Sequence, residues 1–238
     1  MKRKLDQIGE VFMVAPERPR SAARHAITLH KPLRCNKISL PDKQVGYATS
    51  GNPTDCVTIG VEIVMENKCD MIVSGINHGP NLGWDVTYSG TVAAALEGAT
   101  LKIPSIAVSL DTYSPVVEED FEPAATFILK LIKKVVEYGM DAHSLLNVNV
   151  PNLHSQEIKG AKTTFQWKRE YIERVAVCKD PDGKPYYWQG GKLKPGVPPE
   201  GSDVHAVQGG YISVTPLQLD MTDYDSLSTM KSWGVDAM

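Results

Sequence analysis

The chain has 238 residues, 42% hydrophobic and 22% charged, which is enough apolar material for a full core and not the composition of a disordered or fibrous chain. Its formal net charge of -3 offers no basic footprint for a phosphate backbone, so a nucleic-acid polymer is excluded as the default partner. No apolar run approaches the roughly 18 residues a membrane span needs, and the basic start Met1-Lys2-Arg3-Lys4 leads into Leu5-Asp6-Gln7 rather than an apolar signal core. The expected setting is the cytoplasm, without a membrane partner.

Lys2 to Ile8 carry helix formers, with Leu5 and Ile8 three apart and Gly9 as a stop, so this stretch reads as the tail of a helix. Val11 to Ala15 form an apolar run closed by Pro16, as in a strand buried on both faces. A polar loop from Glu17 to His25 follows, then irregular short β structure between Ala26 and Gln44 and a brief strand from Gly46 to Thr49. Thr54 or Asp55 can cap a helix whose Val57, Val61 and Val64 share a face and which ends near Asn67.

Met71-Ile72-Val73 is a short buried strand that breaks into a loop with glycines at Gly75, Gly79 and Gly83. From Thr91 the positions Val92, Ala95, Leu96 and Ala99 keep helical spacing, and Ser105 to Leu110 return as a strand. The longest helix is expected between Pro115 and Gly139, with acids at its start and lysines toward its end as the helix dipole favours. Leu145 to Val150 form a further strand closed by Pro151. Beyond it, Thr163 to Trp167, Tyr186-Tyr187-Trp188 and Tyr211 to Val214 read as strands of hairpins, and residues 192–202 as turns.

Strands alternating with helices imply an α/β fold, a Rossmann-like, doubly wound, mostly parallel sheet. The expected organisation is a core over residues 1–157 and a β-rich, hairpin-bearing extension with a carboxyl-terminal oligomerisation arm over 158–238. Cys35, Cys56, Cys69 and Cys178 show no Cys-x-x-Cys spacing and read as reduced thiols.

The chemistry concentrates between Asp70 and Gly98. Ser89-Gly90-Thr91 stands where a helix begins, so hydroxyls and free first-turn N–H groups point to one place; this is an anion site, or a plain N-cap. Asn77 and Asn81 flank His78 after a strand, and an asparagine carbonyl oxygen is a hard ligand for Mg²⁺, Mn²⁺ or Ca²⁺, although asparagines between glycines also form turns. The loop with Arg18, Arg20, Ser21, Arg24 and His25 could attract phosphate or be a solvated charged loop. Neither a G-x-x-x-x-G-K-[ST] loop, a G-x-G-x-x-G turn nor a G-x-S-x-G elbow occurs.

Four motifs in order resemble the SurE family of survival-protein nucleotidases: Ala15-Pro16-Glu17-Arg18 with Ser21-Ala22, Gly51 to Val57, Val73 to Gly83, and Tyr88 to Ala94. The likeness continues through Asn147 to Pro151, Gly201-Ser202-Asp203 and Gly210 to Leu217. It implies a cytoplasmic phosphatase, dependent on Mg²⁺ or Mn²⁺, acting on nucleoside 5′-monophosphates, with 3′-monophosphates and short polyphosphate as further substrates. It also implies a homodimer or homotetramer built through carboxyl-terminal arms. By the resemblance, Ser21 and Asn77 hold metal, and Ser89, Gly90 and Thr91, with Asn81 and His25, hold the substrate phosphate. The family's metal-binding N-D-D-G turn has no counterpart in this sequence, so a first strand is expected to be missing. The resemblance assigns no catalytic residue. A non-catalytic nucleotide- or phosphate-binding oligomer, or an inactive fragment, is the alternative.

Overall fold

The structure is a computed structural model that describes residues 1–20, 24–41 and 44–238. Its elements run α1 (Lys2–Leu5), β1 (Val14–Pro16), β2 (Cys35–Ser39), β3 (Val45–Thr49), α2 (Pro53–Ile59), β4 (Ile72–His78), α3 (Gly90–Thr100), β5 (Ser105–Asp111), α4 (Glu122–Tyr138) and β6 (Ser144–Pro151). The second part adds β7 (Ala161–Thr163), β8 (Tyr171–Ile172), β9 (Val175–Lys179), β10 (Pro185–Gln189), β11 (Lys192–Leu193), α5 (Asp203–Gln208), β12 (Ile212–Gln218) and α6 (Tyr224–Ser232). Two expected helices come out shorter than their patterns. At Gly60 the helix loosens, Met65 donating to Gly60 five residues back, and Gly60 packs so close to β1 that an added Cβ would lie 3.2 Å from Val14 Cγ2. The segment before α4 forms a tighter turn over Glu118–Phe121, and α4 opens with Pro123 in its first turn, where a missing N–H costs nothing.

The fold is α/β. A five-stranded sheet in the order β4-β5-β6-β12-β7 is parallel across β4, β5 and β6, while β12 runs antiparallel to β6. A separate three-stranded sheet, β1-β3-β2, begins with a parallel pair, and two-stranded antiparallel ladders join β9 to β10 and β8 to β11.

Strand alternation sorts the five-stranded sheet into two faces. Ile106, Val108 and Leu110 of β5, Val148 and Val150 of β6 and Ile212 of β12 pack against Ala124, Ile128, Ile132 and Val135 of α4. Each buried aliphatic side chain there contributes about 1.5–3 kcal/mol. The opposite face sets Ala107 and Leu145 against Val92 and Ala95 of α3, a helix so small-surfaced that a Cβ on its Gly98 would sit 2.1 Å from Ser105 Oγ.

The expected boundary at 157/158 runs through this sheet. β12 returns beside β6 and carries β7 with it, so residues assigned to the extension complete the core. What stands off the sheet is the β9–β10 hairpin, with Val177, Tyr187 and Trp188 exposed, and α6, which buries none of its residues.

Candidate functional site

β4 delivers the site loop. A register shift between Ser74 and Asn77 bulges the strand end and re-aims Asn77. The Asn77 amide nitrogen donates to Gly79 O at 2.8 Å, which leaves Oδ1 without a protein donor among the described residues. Its neighbour His78 is occupied, Nε2 lying 2.7 Å from Ser114 O.

Beneath the loop, β5, β6 and β12 carry polar residues where their other positions are apolar. Ser109, Asn147, Asn149, Ser213 and Thr215 all lie buried on the α3 face, and Thr164 bridges Ser213 and Thr215 at 2.8 Å each. This seam grips Asn81. Its N–H donates to Asn149 Oδ1 at 2.7 Å, its amide nitrogen donates to Ser109 Oγ at 2.6 Å, and its carbonyl accepts from Asn147 and Asn149. Asn81, expected at the substrate, is thus placed as the buried anchor of the loop.

Two residues on, the chain is clamped from the other side. Gly83 has φ +53°, and a Cβ there would lie 2.0 Å from Trp167 O, so only glycine fits. Its N–H donates to Asp203 Oδ2 at 2.6 Å and its carbonyl accepts from Gln166 at 3.0 Å. Asp203 is fully buried and also accepts from the N–H groups of Trp167 at 3.1 Å and Val204 at 2.8 Å. Burial pushes its carboxyl up, against the pull of those donors and of Arg169.

The turn Gly83–Tyr88 holds Asp85, which lies 3.0 Å from Arg169 Nη1 and accepts from the Tyr171 hydroxyl at 2.7 Å. Burial works against the Arg169 charge, but Asp85, Tyr171 and Tyr113 outweigh it and keep the guanidinium firmly protonated. Asp203, Arg169, Tyr171 and Tyr113 are absent from the sequence-based site. Of these only Asp203 carried a signal, through the Gly201-Ser202-Asp203 motif.

After that turn Ser89 caps α3, its hydroxyl accepting from Val92 N–H at 3.1 Å. The next carbonyl bond begins at Ala93, so the N–H groups of Gly90 and Thr91 have no partner among the described residues. The two free N–H groups lie at the positive end of the helix dipole, the arrangement that favours an anion.

Ser21 lies outside the described residues. The rest of its loop reaches this helix: Arg24 N–H donates to Tyr88 O at 3.3 Å, and its guanidinium stands 4.8 Å over the Tyr88 ring. His25 pairs instead with Glu97, Nε2 to Oε2 at 2.9 Å, about 10 Å along α3 from Gly90 at 1.5 Å per residue. The loop is pinned at its far end by Asp55, which accepts from Thr28 N–H, the Thr28 hydroxyl and Asn52 N–H.

Residues 1–173 match the family described as Survival protein SurE. The chain belongs to the SurE family. It is 46% identical over 229 residues to the 5′-nucleotidase SurE of Caldanaerobacter subterraneus subsp. tengcongensis, covering 95% of this chain and 88% of that one. With the 5′-nucleotidase SurE of Geobacter metallireducens the identity is 44%, over 96% of this chain and 88% of the relative. The crystal structure of the SurE protein from Aquifex aeolicus superimposes with a TM-score of 0.84 at 43% identity, covering 98% of this chain and 92% of that one. Asn77, the Ser89 to Thr91 cradle, Asp85, Arg169 and Tyr171 all lie inside the span matched by the SurE family, and Asp203 lies beyond it.

Proposed function

We propose that this SurE-family chain is a phosphomonoesterase that hydrolyses nucleoside 5′-monophosphates to nucleoside and inorganic phosphate, with 3′-monophosphates and short polyphosphate as further substrates. The observation that carries the proposal is the cradle at Ser89-Gly90-Thr91, whose unspent N–H groups open at the carboxyl end of β4, in a chain about as similar to two relatives named 5′-nucleotidase as those figures give. In the reaction, water adds to phosphorus, the ester P–O bond breaks and the nucleoside leaves as its alcohol. The cradle stabilises the charge that builds on the non-bridging oxygens.

A divalent cation, Mg²⁺ or Mn²⁺, belongs to the family expectation. Asn77 Oδ1 suits a hard cation, since its amide nitrogen is fixed and the oxygen is free. It is a neutral donor, however, and no group of three or more His, Cys, Asp or Glu residues able to hold a metal occurs among the described residues. These residues do not compose a Mg²⁺ site, and no step is routed through one. The exposed β9–β10 hairpin and α6 support a homodimer or homotetramer. Four free cysteines support a reducing, cytoplasmic setting, and no helix among the described residues is long and apolar enough to cross a membrane.

The test is release of inorganic phosphate from AMP with Mg²⁺ and with Mn²⁺, for the chain and for Thr91→Ala. Turnover that the substitution weakens supports the proposal; a folded chain that releases no phosphate from any nucleoside monophosphate overturns it. The second reading in that case is a nucleotide-binding oligomer without turnover, in which the N–H groups at the start of α3 hold the phosphate. Its mark would be a melting temperature raised by AMP irrespective of metal.

A further inference from the structure

Arg24 is tied twice to Tyr88, the residue directly before the Ser89 cap of α3. Its N–H donates to Tyr88 O at 3.3 Å, and its guanidinium lies over the Tyr88 ring, 4.8 Å from the centroid. The residues that follow fasten the same strap to α2 and α3. His25 pairs with Glu97 at 2.9 Å, Ala26 O accepts from the Asn52 amide nitrogen at 3.4 Å, and Thr28 gives both its N–H and its hydroxyl to Asp55. The segment from Arg24 to Thr28 is therefore fixed against the helices, and Tyr88 holds its leading end two residues short of Gly90, which carries the first free N–H.

By itself this placement is unfavourable for an arginine. The positive end of a helix dipole repels a cation. Glu97 and Asp55, the acids that meet the strap, are spent on His25, Thr58, Thr28 and Asn52, and the Arg24 guanidinium has no ion pair or hydrogen bond among the described residues. Its backbone adds to the cost, since φ is +55°, in the left-handed region that an L side chain disfavours. Tyr88 supports the charge without neutralising it: the cation–π contact leaves the guanidinium its full charge and its fork of N–H donors, the group that suits phosphate. An unpaired cation and unspent N–H groups at one helix start oppose each other until an anion arrives and satisfies both.

We infer that Arg24 binds the substrate's phosphate together with the N–H groups of Gly90 and Thr91, adding a full positive charge to a helix start that otherwise offers dipoles. The inference rests on the phosphomonoesterase reading and adds a binding residue to it. A charge-assisted hydrogen bond from guanidinium to phosphate is worth about 10- to 100-fold in affinity. Arg24 is exposed, so its contribution depends on ionic strength: charges act over about 30 Å in 0.01 M salt and about 3 Å in 1 M salt.

The experiment measures the dissociation constant of inorganic phosphate by calorimetry and kcat/KM for AMP by phosphate release, in the chain, Arg24→Gln, Arg24→Gly and Arg24→Lys. Arg24→Gln and Arg24→Gly both remove the charge, and each should weaken phosphate and lower kcat/KM about tenfold in low salt. That loss should shrink to almost nothing in about 1 M salt, where the parent's own advantage is screened. Arg24→Lys keeps the charge without the planar fork and should fall between the parent chain and Arg24→Gln. Arg24→Gly also relieves the left-handed backbone, so it should melt close to the parent chain while binding phosphate more weakly. A strap that merely slackens would weaken phosphate in Arg24→Gly but not in Arg24→Gln, with the salt dependence unchanged, and that result overturns the inference. Phosphate constants and salt dependence unchanged in both variants also overturn it and leave the phosphomonoesterase standing. A folded chain that neither binds phosphate nor hydrolyses AMP overturns both.

Discussion

Replacing Asp203 with alanine tests the clamp that joins the site loop to the carboxyl-terminal part of the chain. Asp203 is fully buried, and it is the one acceptor among the described residues for the N–H groups of Gly83 and Trp167. Alanine strands both donors in the interior at about 1–3 kcal/mol each. Taking the middle of that range for two groups gives about 4 kcal/mol, and at this chain length each kcal/mol moves the melting temperature by about 2–4 °C, so a fall of about 8–16 °C is expected. Asp203→Asn retains one accepting oxygen and turns an amide N–H toward one of the donors; it should lose about half as much.

The pH dependence has a definite sign. Burial raises the Asp203 carboxyl pKa, so in the intermediate window the native state binds more protons than the unfolded state. The group's contribution is then fully present below the unfolded value, near 4, and is lost as pH rises through the raised folded value. The deficit of Asp203→Asn should therefore be larger at acid pH than at neutral pH. Thermal melts across that range, with hydrogen exchange at the Gly83 amide, measure both effects. Melting within 1 °C of the parent chain for Asp203→Ala, with Gly83 exchange unchanged, would mean that the three N–H bonds carry no net stability (a shift that small is below about 0.5 kcal/mol).

Gly83→Ala forces a side chain onto Trp167 O in a left-handed backbone conformation, and a circular dichroism melt should report a loss of about 3 kcal/mol or more. Ser89→Ala removes the cap on Val92 and costs about 1 kcal/mol, whereas Ser89→Gly costs a few tenths. Both lose the hydroxyl, so competition by inorganic phosphate should weaken equally in the two; a Gly variant that keeps full competition would remove Ser89 from the phosphate site. Asp111 is raised chiefly by burial, with Arg169 opposing, so its charge costs stability at neutral pH. Asp111→Asn should melt higher than the parent chain at pH 7, and the gain should vanish below about pH 4, where both states of the parent carboxyl are protonated.

Elements with a long, regular pattern were legible in the sequence. The spacing from Val92 to Ala99, the run from Ser105 to Leu110 and the polarity of the 115–139 stretch correspond to α3, β5 and α4, because one buried face dictates each pattern. The order strand, glycine-rich loop, helix start corresponds to β4, which ends at His78, and α3, which begins at Gly90, so Asn77 and the Ser89 to Thr91 segment stand at the two ends of that connection. Asn81 looked like a ligand because its polarity is visible and its partners are not: Asn149 is 68 residues away and Ser109 is 28. Similarly, 120 residues separate Gly83 from Asp203 and 86 separate Asp85 from Tyr171. No local periodicity encodes pairs that only the folded sheet brings together. The change of texture after Pro151 is likewise local, and it carries no sign that β12 returns to pair with β6.

Those long-range pairs decide how the loop behaves. From Asn81 to Ser89 it is held on one side by the polar seam of β5 and β6 and on the other by Asp203, Gln166, Arg169 and Tyr171. Neither anchor alone fixes it: the seam grips only Asn81, and the clamp acts only on Gly83 and Asp85. Because α3 begins directly after this loop, a slack clamp would displace the Gly90 and Thr91 N–H groups relative to Asn77, which leaves β4 before the loop begins. The proposed phosphate site depends on that spacing, because preorganised donors act only where they are held in place. The carboxyl-terminal third is therefore part of the site's construction, and a fragment ending near residue 157 would lose β12, Asp203 and Arg169 together, and with them the geometry of the cradle.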